Sequence, residues 1–437
     1  LGRLFSKKTD VSIVINVDLQ QLKHPGGFMQ DSKSNKNFDT DYEWKIILIL
    51  SLAFGLVGLD RFILPTLWAP MAADLGLTIE DLGNAVGILA VFWGLSAFAM
   101  GSLSDHLGRR KVLIPAVIIF SLMSAFTGMV NGLIGLLMIR AVMGIAEGPV
   151  ASTGVAVAVE ASHPKRRGLN NGIFQCMISL FGLAIGPIIA TQLLGITTWR
   201  NVFLIVGIPG LLIAAGMFYI VREPLAQLAA SGERAPRPSF GQLFQHRNVA
   251  LAMLTLMCAM GGIFVLAAMM PDYLLGFLKL STTDMGFVFS AIGFGGCLGQ
   301  FALPAISDIV GRKIATLVSY ILAAFFLYLF TLQGAGSMPI LFVLLFFASM
   351  FNFAALAILA GPVAAEAAPI GMVASVAGLV IGAGEVFGGG IAPAIAGRIA
   401  GSSGIQNVFT FAIASLVLGF VIALFLKETA PSKTGGL

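Results

Sequence analysis

A chain of 437 residues that is 57% hydrophobic and only 11% charged cannot keep its surface in water as a soluble domain. The composition points to a protein that crosses the bilayer many times. The formal net charge of +5 is no nucleic-acid signal, because the basic residues track membrane topology. Cys176, Cys258 and Cys297 all fall inside apolar segments, which argues against a disulfide framework. His24, His106, His163 and His246 stand in polar connections, away from Cys and Asp clusters, so we expect no metal site and no cofactor. No G-x-x-x-x-G-K-[ST] run suggests ATP hydrolysis, and we expect no enzyme.

The first 44 residues are mixed and polar, without the apolar core of a signal peptide. Met29 is the first methionine and precedes a short polar leader into the first span. We therefore expect natural translation to begin at Met29, with residues 1–28 lying outside the natural chain; N-terminal sequencing that finds Leu1 refutes this.

Apolar runs long enough to cross a membrane follow near 46–72, 82–103, 111–129, 133–159, 169–194, 201–221, 249–270, 283–304, 313–332, 339–364, 372–396 and 405–426. The longest connection, with "GERAPRPSF", reads as a flexible linker. The expected organisation is a polar tail over 1–45, a six-helix half over 46–221, a linker over 222–248, a second half over 249–426 and a tail over 427–437. Lys and Arg set the orientation. From residue 46 onward, connections on the N-terminal side of the membrane carry 14 of them, including Arg109, Arg166 and Arg312, whereas the other side has three, Arg200, Lys279 and Arg398. Both termini are thus expected to be cytoplasmic.

The halves repeat. "LTIEDLG" (Leu77 to Gly83) matches "LSTTDMG" (Leu280 to Gly286), and "SDHLGRR" (Ser104 to Arg110) matches "SDIVGRK" (Ser307 to Lys313). Pro187 likewise pairs with Pro393, and "NVF" at Asn201 with "NVF" at Asn407. Duplicated six-helix halves are the architecture of many secondary transporters. "GSLSDHLGRRKVL" (Gly101 to Leu113) resembles the signature loop of the major facilitator superfamily, and the likeness covers residues 46–426. The resemblance implies an all-α integral membrane protein of twelve helices in two pseudo-symmetric halves. It also implies that loop residues help hold the cytoplasmic side shut. Asp105, Arg109 and Glu160 are the candidates in the first half; Asp308, Arg312 and Glu366 repeat them in the second.

Charges inside the spans raise the functional question, since an intramembrane ionisable group is costly and marks function by default. At about 1.5 Å per residue, Asp60 and Arg61 lie roughly 21–23 Å from the cytoplasmic end of the first span. On the same rise Glu147 lies at about 18 Å, Arg140 at about 28 Å and Glu385 at about 20 Å. Asn352 and Trp93 fall near the same level. Two arginines and three acids therefore share a slab near the midplane, where a chamber between the halves would lie. Arg140 and Glu147, seven residues apart, lie on nearly one helix face, whereas Asp60 and Arg61 point about 100° apart. Asp60–Arg140 and Arg61–Glu147 pairs would be the purely structural reading.

The Asp-Arg pair of the first span and "RAVMGIAEGP" of the fourth resemble the organic anion:cation symporter branch of the superfamily. That resemblance implies that Arg61 binds the substrate carboxylate and that Asp60 and Glu147 take part in proton coupling. Arg140 would tune Glu147 or make a second anion contact, with Trp93 a pocket wall. Charge arithmetic points the same way: Arg61 and Arg140 against ionised Asp60 and Glu147 sum to zero, so protonating one acid readies the site for an anion, and the two bindings favour each other. Glu385, in "GAGEVFGGG", is a third acid outside that pattern, with a second proton site, a contact for a cationic substrate and a structural role all open. The expected function is proton-coupled uptake of a small organic anion, a sugar acid or aromatic acid, by a monomer in the inner membrane. "GLAIGP" (Gly182 to Pro187) partly matches a motif of drug:proton antiporters, and "WRNVFLIVGIPG" with "REP" resembles spinster-like transporters. Export of an amphiphile is therefore the alternative. A sensor on the same scaffold would usually carry a sizeable soluble domain, which the chain lacks.

Overall fold

The computed structural model describes residues 39–163, 166–222, 246–368, 373–430 and 433. The tail over 1–38 and most of the expected linker, residues 223–245, lie outside the described residues, as does the Asp105 side chain. Among the described residues, twelve helices are long and apolar enough to cross a membrane. They are α1 (Thr40–Thr66), α2 (Ile79–Leu107), α3 (Arg109–Thr127), α4 (Leu133–Ala161), α5 (Asn170–Leu194) and α6 (Trp199–Ile220). The second half supplies α7 (Arg247–Phe277), α8 (Thr282–Val310), α9 (Arg312–Thr331), α10 (Met338–Glu366), α11 (Val376–Ser403) and α12 (Gln406–Ala423). We call the membrane face at which α1 begins the terminal face.

The repeated sequences have local jobs. Thr78 caps α2, accepting from the Asp81 N–H while its own N–H donates to the Asp81 carboxylate at 2.8 Å. Ser281 caps α8 through its side chain, accepting from the Asp284 N–H at 3.1 Å and donating to the Asp284 carboxylate at 2.7 Å. The second repeat makes a tight corner: Gly108 and Gly311 take φ of 107° and 105°, a region that favours glycine, and α3 and α9 start at the next residue. The first span is interrupted where the apolar run is not. Pro70 has no N–H to offer the Thr66 carbonyl, and the chain leaves the helix at Leu67 before a short helix over Trp68–Leu75.

Because lipid is as apolar as a leucine side chain, these helices associate through close van der Waals contact at small residues. A Cβ on Gly58 of α1 would lie 2.3 Å from the Ile178 carbonyl oxygen of α5, and one on Gly182 would lie 2.5 Å from the Gly58 oxygen. Gly58→Val is therefore expected to force α1 and α5 apart, at about 1–3 kcal/mol of overpacking. A lower apparent melting temperature in detergent checks this; an unchanged one refutes the packing.

The halves are sealed together toward the face opposite the termini. There a Cβ on Gly83 or Gly87 of α2 would sit 2.5 or 2.6 Å from the carbonyl oxygens of Pro393 and Gly390 in α11. Between α5 and α8, a Cβ on Gly293 would lie 2.0 Å from the Ala184 nitrogen, and one on Gly286 2.4 Å from the Thr191 hydroxyl. Toward the terminal face α11 is less tightly seated. Gly378 and Gly382 lie seven and three residues before Glu385, on the same side of α11. A Cβ on either would meet no described atom within 4 Å.

Candidate functional site

Arg61 sits where the tight glycine seam between α2 and α11 ends. It is 3% exposed and donates from Nη2 to the Glu385 carboxylate at 2.6 Å, linking α1 of the first half to α11 of the second. Its guanidinium lies 4.2 Å from the Phe264 ring centroid on α7 and 5.5 Å from that of Trp93 on α2. Aromatic faces of this kind stabilise a desolvated cation. Nε and Nη1 of Arg61 have no hydrogen-bond partner among the described residues.

The sequence explains how Glu385 reaches this point. "GEVFGGG" lies in a π-helical stretch, Gly384–Ile391. A Cβ on Gly388 would lie 2.6 Å from the Met257 carbonyl oxygen, so α11 seats directly on the α7 backbone. A Cβ on Gly389 would lie 2.9 Å from a Glu385 carboxylate oxygen and 3.3 Å from Arg61 Nη2. A larger residue there would press on the ion pair itself.

Glu147 is brought in by α4. Its neighbours Gly144 and Gly148 draw α4 onto α2, where Cβ atoms would fall 2.3 Å from the Leu89 oxygen and 2.6 Å from the Trp93 oxygen. Glu147 is fully buried, and neither carboxylate oxygen has a hydrogen-bond partner among the described residues. The charges of Asp60, Arg61, Arg140 and Glu385 all act on it. Arg140 donates from Nη1 to the Asp60 backbone oxygen at 3.1 Å, leaving its Nε and Nη2 unengaged. The Asp60 carboxylate accepts from the Ser124 hydroxyl of α3 at 2.6 Å.

Side-chain pairing thus differs from both simple schemes. Arg140 meets the main chain of Asp60 rather than its carboxylate, and the partner of Arg61 is Glu385 rather than Glu147. This corrects the four-charge balance, which left out the acid closest to Arg61. Trp93 borders the guanidinium, but Asn352 is engaged elsewhere. With its amide turned so that both ends are satisfied, it donates to the Ala259 carbonyl at 3.1 Å and accepts from the Ile263 N–H at 3.2 Å, two groups one turn apart on α7. Phe264 and Ser124 belong to the site and were not singled out from sequence.

At the terminal face the loop residues form two similar clusters. Arg109 donates to Glu160 at 2.8 Å and to the Ser104 hydroxyl at 2.6 Å. Arg312 donates to Glu366 at 2.9 Å and to the Ser307 hydroxyl at 2.6 Å, and also pairs with Asp308. Each of these clusters lies within one half. The second is completed by Glu428, which accepts from the N–H groups of Arg312 at 2.7 Å and Lys313 at 3.2 Å, at the positive start of α9. Partial burial pushes the Glu428 carboxyl up, but backbone N–H groups of Ala430, Arg312, Thr429 and Lys313 outweigh it and hold it below its ordinary value of 4.5. A carboxylate depressed in the folded state stabilises above the unfolded value and loses that contribution as pH falls through the folded one. Glu428→Gln is therefore expected to cost about 1 kcal/mol at pH 7, as for a lost helix cap. The gap to wild type should close as pH drops below 4.5; thermal unfolding across pH reads it, and a gap that is constant with pH contradicts it.

With the geometry in place, comparison is informative. The family model of the Major Facilitator Superfamily matches residues 50–384 and 252–436. The chain belongs to the major facilitator superfamily. It is a multi-pass membrane transporter rather than an enzyme, and it resembles the superfamily's organic anion branch. A relative in Cupriavidus pinatubonensis, named as a 4-methylmuconolactone transporter, is 25% identical over 84% of this chain and 86% of its own. One in Escherichia coli, named as an L-galactonate transporter, is 29% identical over 46% of this chain. That match spans only 43% of the relative's length. Among solved structures, a bacterial homologue of the human lysosomal transporter Spinster, inward-facing and occupied, superposes with a TM-score of 0.73 at 17% identity. It covers 88% of this chain and 97% of that one, and establishes the shared fold.

Proposed function

We propose that this transporter takes up a small organic carboxylate together with a proton by alternating access, as a monomer in the inner membrane with both termini cytoplasmic. One observation carries the reading: a buried Arg61 with unengaged donors acts electrostatically on Glu147, whose two oxygens have no partner among the described residues. Arg61 is the anion contact, supported by Trp93 and Phe264. Glu147 is the acid on which the travelling proton sits, with Asp60 and Glu385 as further acids and Arg140 as a second cation near the anion. Asn352 contributes by shaping α7. A protonated Glu147 leaves the cluster one positive charge richer, which favours an entering carboxylate, and the coupling is mutual.

The relatives' names, with L-galactonate for one and 4-methylmuconolactone for the other, support a substrate of sugar-acid or aromatic-acid type. Asp105, Arg109 and Glu160, with Asp308, Arg312 and Glu366, hold the cytoplasmic side shut in the outward-facing state. Export of an amphiphile by antiport is the second reading, favoured by the fold likeness to the Spinster homologue. A panel of sugar acids, aromatic acids and cationic amphiphiles, screened for thermal stabilisation at pH 5.5 and 7.5, tests the substrate class. Carboxylates should stabilise, more strongly at the lower pH. Stabilisation by cationic amphiphiles alone contradicts the proposal.

A further inference from the structure

We infer that Glu385 is a built-in competitor for the transported anion. Its carboxylate occupies Arg61 when no substrate is bound, ties the two halves together at the floor of the sealed side, and is displaced when a substrate carboxylate takes its place. The inference rests on the assignment of Arg61 as the anion contact and adds what switches that contact on and off.

Three observations converge on it. First, the pair joins residues 324 apart in sequence, one from each half, and both side chains are almost fully buried. Second, its position is at a boundary. Immediately beyond it, toward the face opposite the termini, α2 and α11 are in backbone contact at Gly87 and Gly390. Immediately before it the packing is looser: a Cβ on Gly378 or Gly382 would meet no described atom within 4 Å, and α2 approaches only at ordinary contact distance, a Cβ on Gly94 lying 3.5 Å from the Gly382 oxygen. An ion pair there ties α1 to α11 where that tight seam ends, while α5 and α8 still touch nearer the terminal face, a Cβ on Gly172 lying 3.5 Å from the Phe301 ring. Third, Glu385 is a carboxylate on a guanidinium, the same chemistry by which an organic acid would bind, and although Nε and Nη1 are unengaged, a bidentate carboxylate on Nη1 and Nη2 needs Glu385 to leave. A π-helical stretch at this point fits a segment that must rearrange.

Displacement converts binding energy into movement. Without an anion, the pair favours the state sealed opposite the termini. With Arg61 satisfied by substrate, the tie between halves is gone and the sealed side is released, as expected of a ligand that binds one of two states better.

The test uses Glu385→Gln, which keeps the shape and removes the charge, with Glu385→Asp as the charge-retaining variant. A reporter comes from Thr191→Cys, placed in a chain whose three cysteines are replaced by alanine. Thr191 is buried where α5 meets α8 on the sealed side, so maleimide alkylation at that position reads its opening. With no substrate present, E385Q should raise the alkylation rate by about fivefold or more, with Glu385→Asp staying close to wild type. E385Q should also bind L-galactonate about tenfold more tightly, because the competing state is removed. An alkylation rate equal to wild type in E385Q, or an equal loss of sealing in both variants, overturns the inference. So does an L-galactonate affinity that is unchanged or weaker in E385Q. Failure of the underlying reading looks different: Arg61→Ala would then bind carboxylates as wild type does.

Discussion

Arg61→Ala is expected to abolish carboxylate binding and transport. A truncated partner of a buried, hydrogen-bonded charge contact typically costs about 2–5 kcal/mol, which is roughly 30-fold to several thousand-fold in affinity. The substitution acts twice, since it also leaves Glu385 buried without its 2.6 Å partner, and an orphaned buried charge destabilises by about 3–5 kcal/mol. Arg61→Lys separates the two effects. Lysine restores a cation for Glu385 but not the planar set of donors, so folding should recover while affinity stays at least about tenfold down. Isothermal titration with the stabilising carboxylate, beside a melting curve for each variant, distinguishes these outcomes. Normal affinity in a folded Arg61→Ala protein would remove the anion contact from the account.

Glu147→Gln is expected to uncouple transport from protons without destroying it. Glutamine keeps the volume and polarity of a protonated glutamate, so the cluster is held in its anion-ready charge state. Exchange of internal for external carboxylate should continue at a rate within about threefold of wild type, because no proton need leave. Accumulation driven by a pH gradient should be lost. The tight seating of α4 on α2 through Gly144 and Gly148 makes an isosteric change there the appropriate one. A variant that still concentrates substrate against its gradient would assign the proton to another acid, with Asp60 and Glu385 the remaining candidates on facing elements.

Much of the fold is legible in the chain because membrane spans obey a length rule and because the duplicated motifs mark equivalent turns. "LTIEDLG" and "LSTTDMG" are visible as repeats; that they are helix caps follows from Ser/Thr three residues before Asp. Span ends are less legible. The break at Leu67 arises from Pro70 withholding one hydrogen bond inside an unbroken apolar run. Charged site residues stand out because Asp60, Arg61, Arg140, Glu147 and Glu385 interrupt apolar segments. Their pairing does not, since it depends on helix rotation and on how one half docks on the other. Depth along the membrane places Glu147 and Glu385 at about the same level, and only the seating of α11 on α7 through Gly388 selects Glu385 as the partner of Arg61. Phe264 is one of 34 phenylalanines, and nothing in its neighbourhood of sequence distinguishes it. Ser124 is likewise one small hydroxyl in an apolar span, marked only by the Asp60 carboxylate it reaches.

The direction of proton movement tests the central claim most directly. Purified protein in weakly buffered liposomes, with a pH electrode outside, should alkalinise the exterior when the stabilising carboxylate is added there. Acidification of the exterior on that addition, or carboxylate entry with no pH change at all, would contradict coupled uptake.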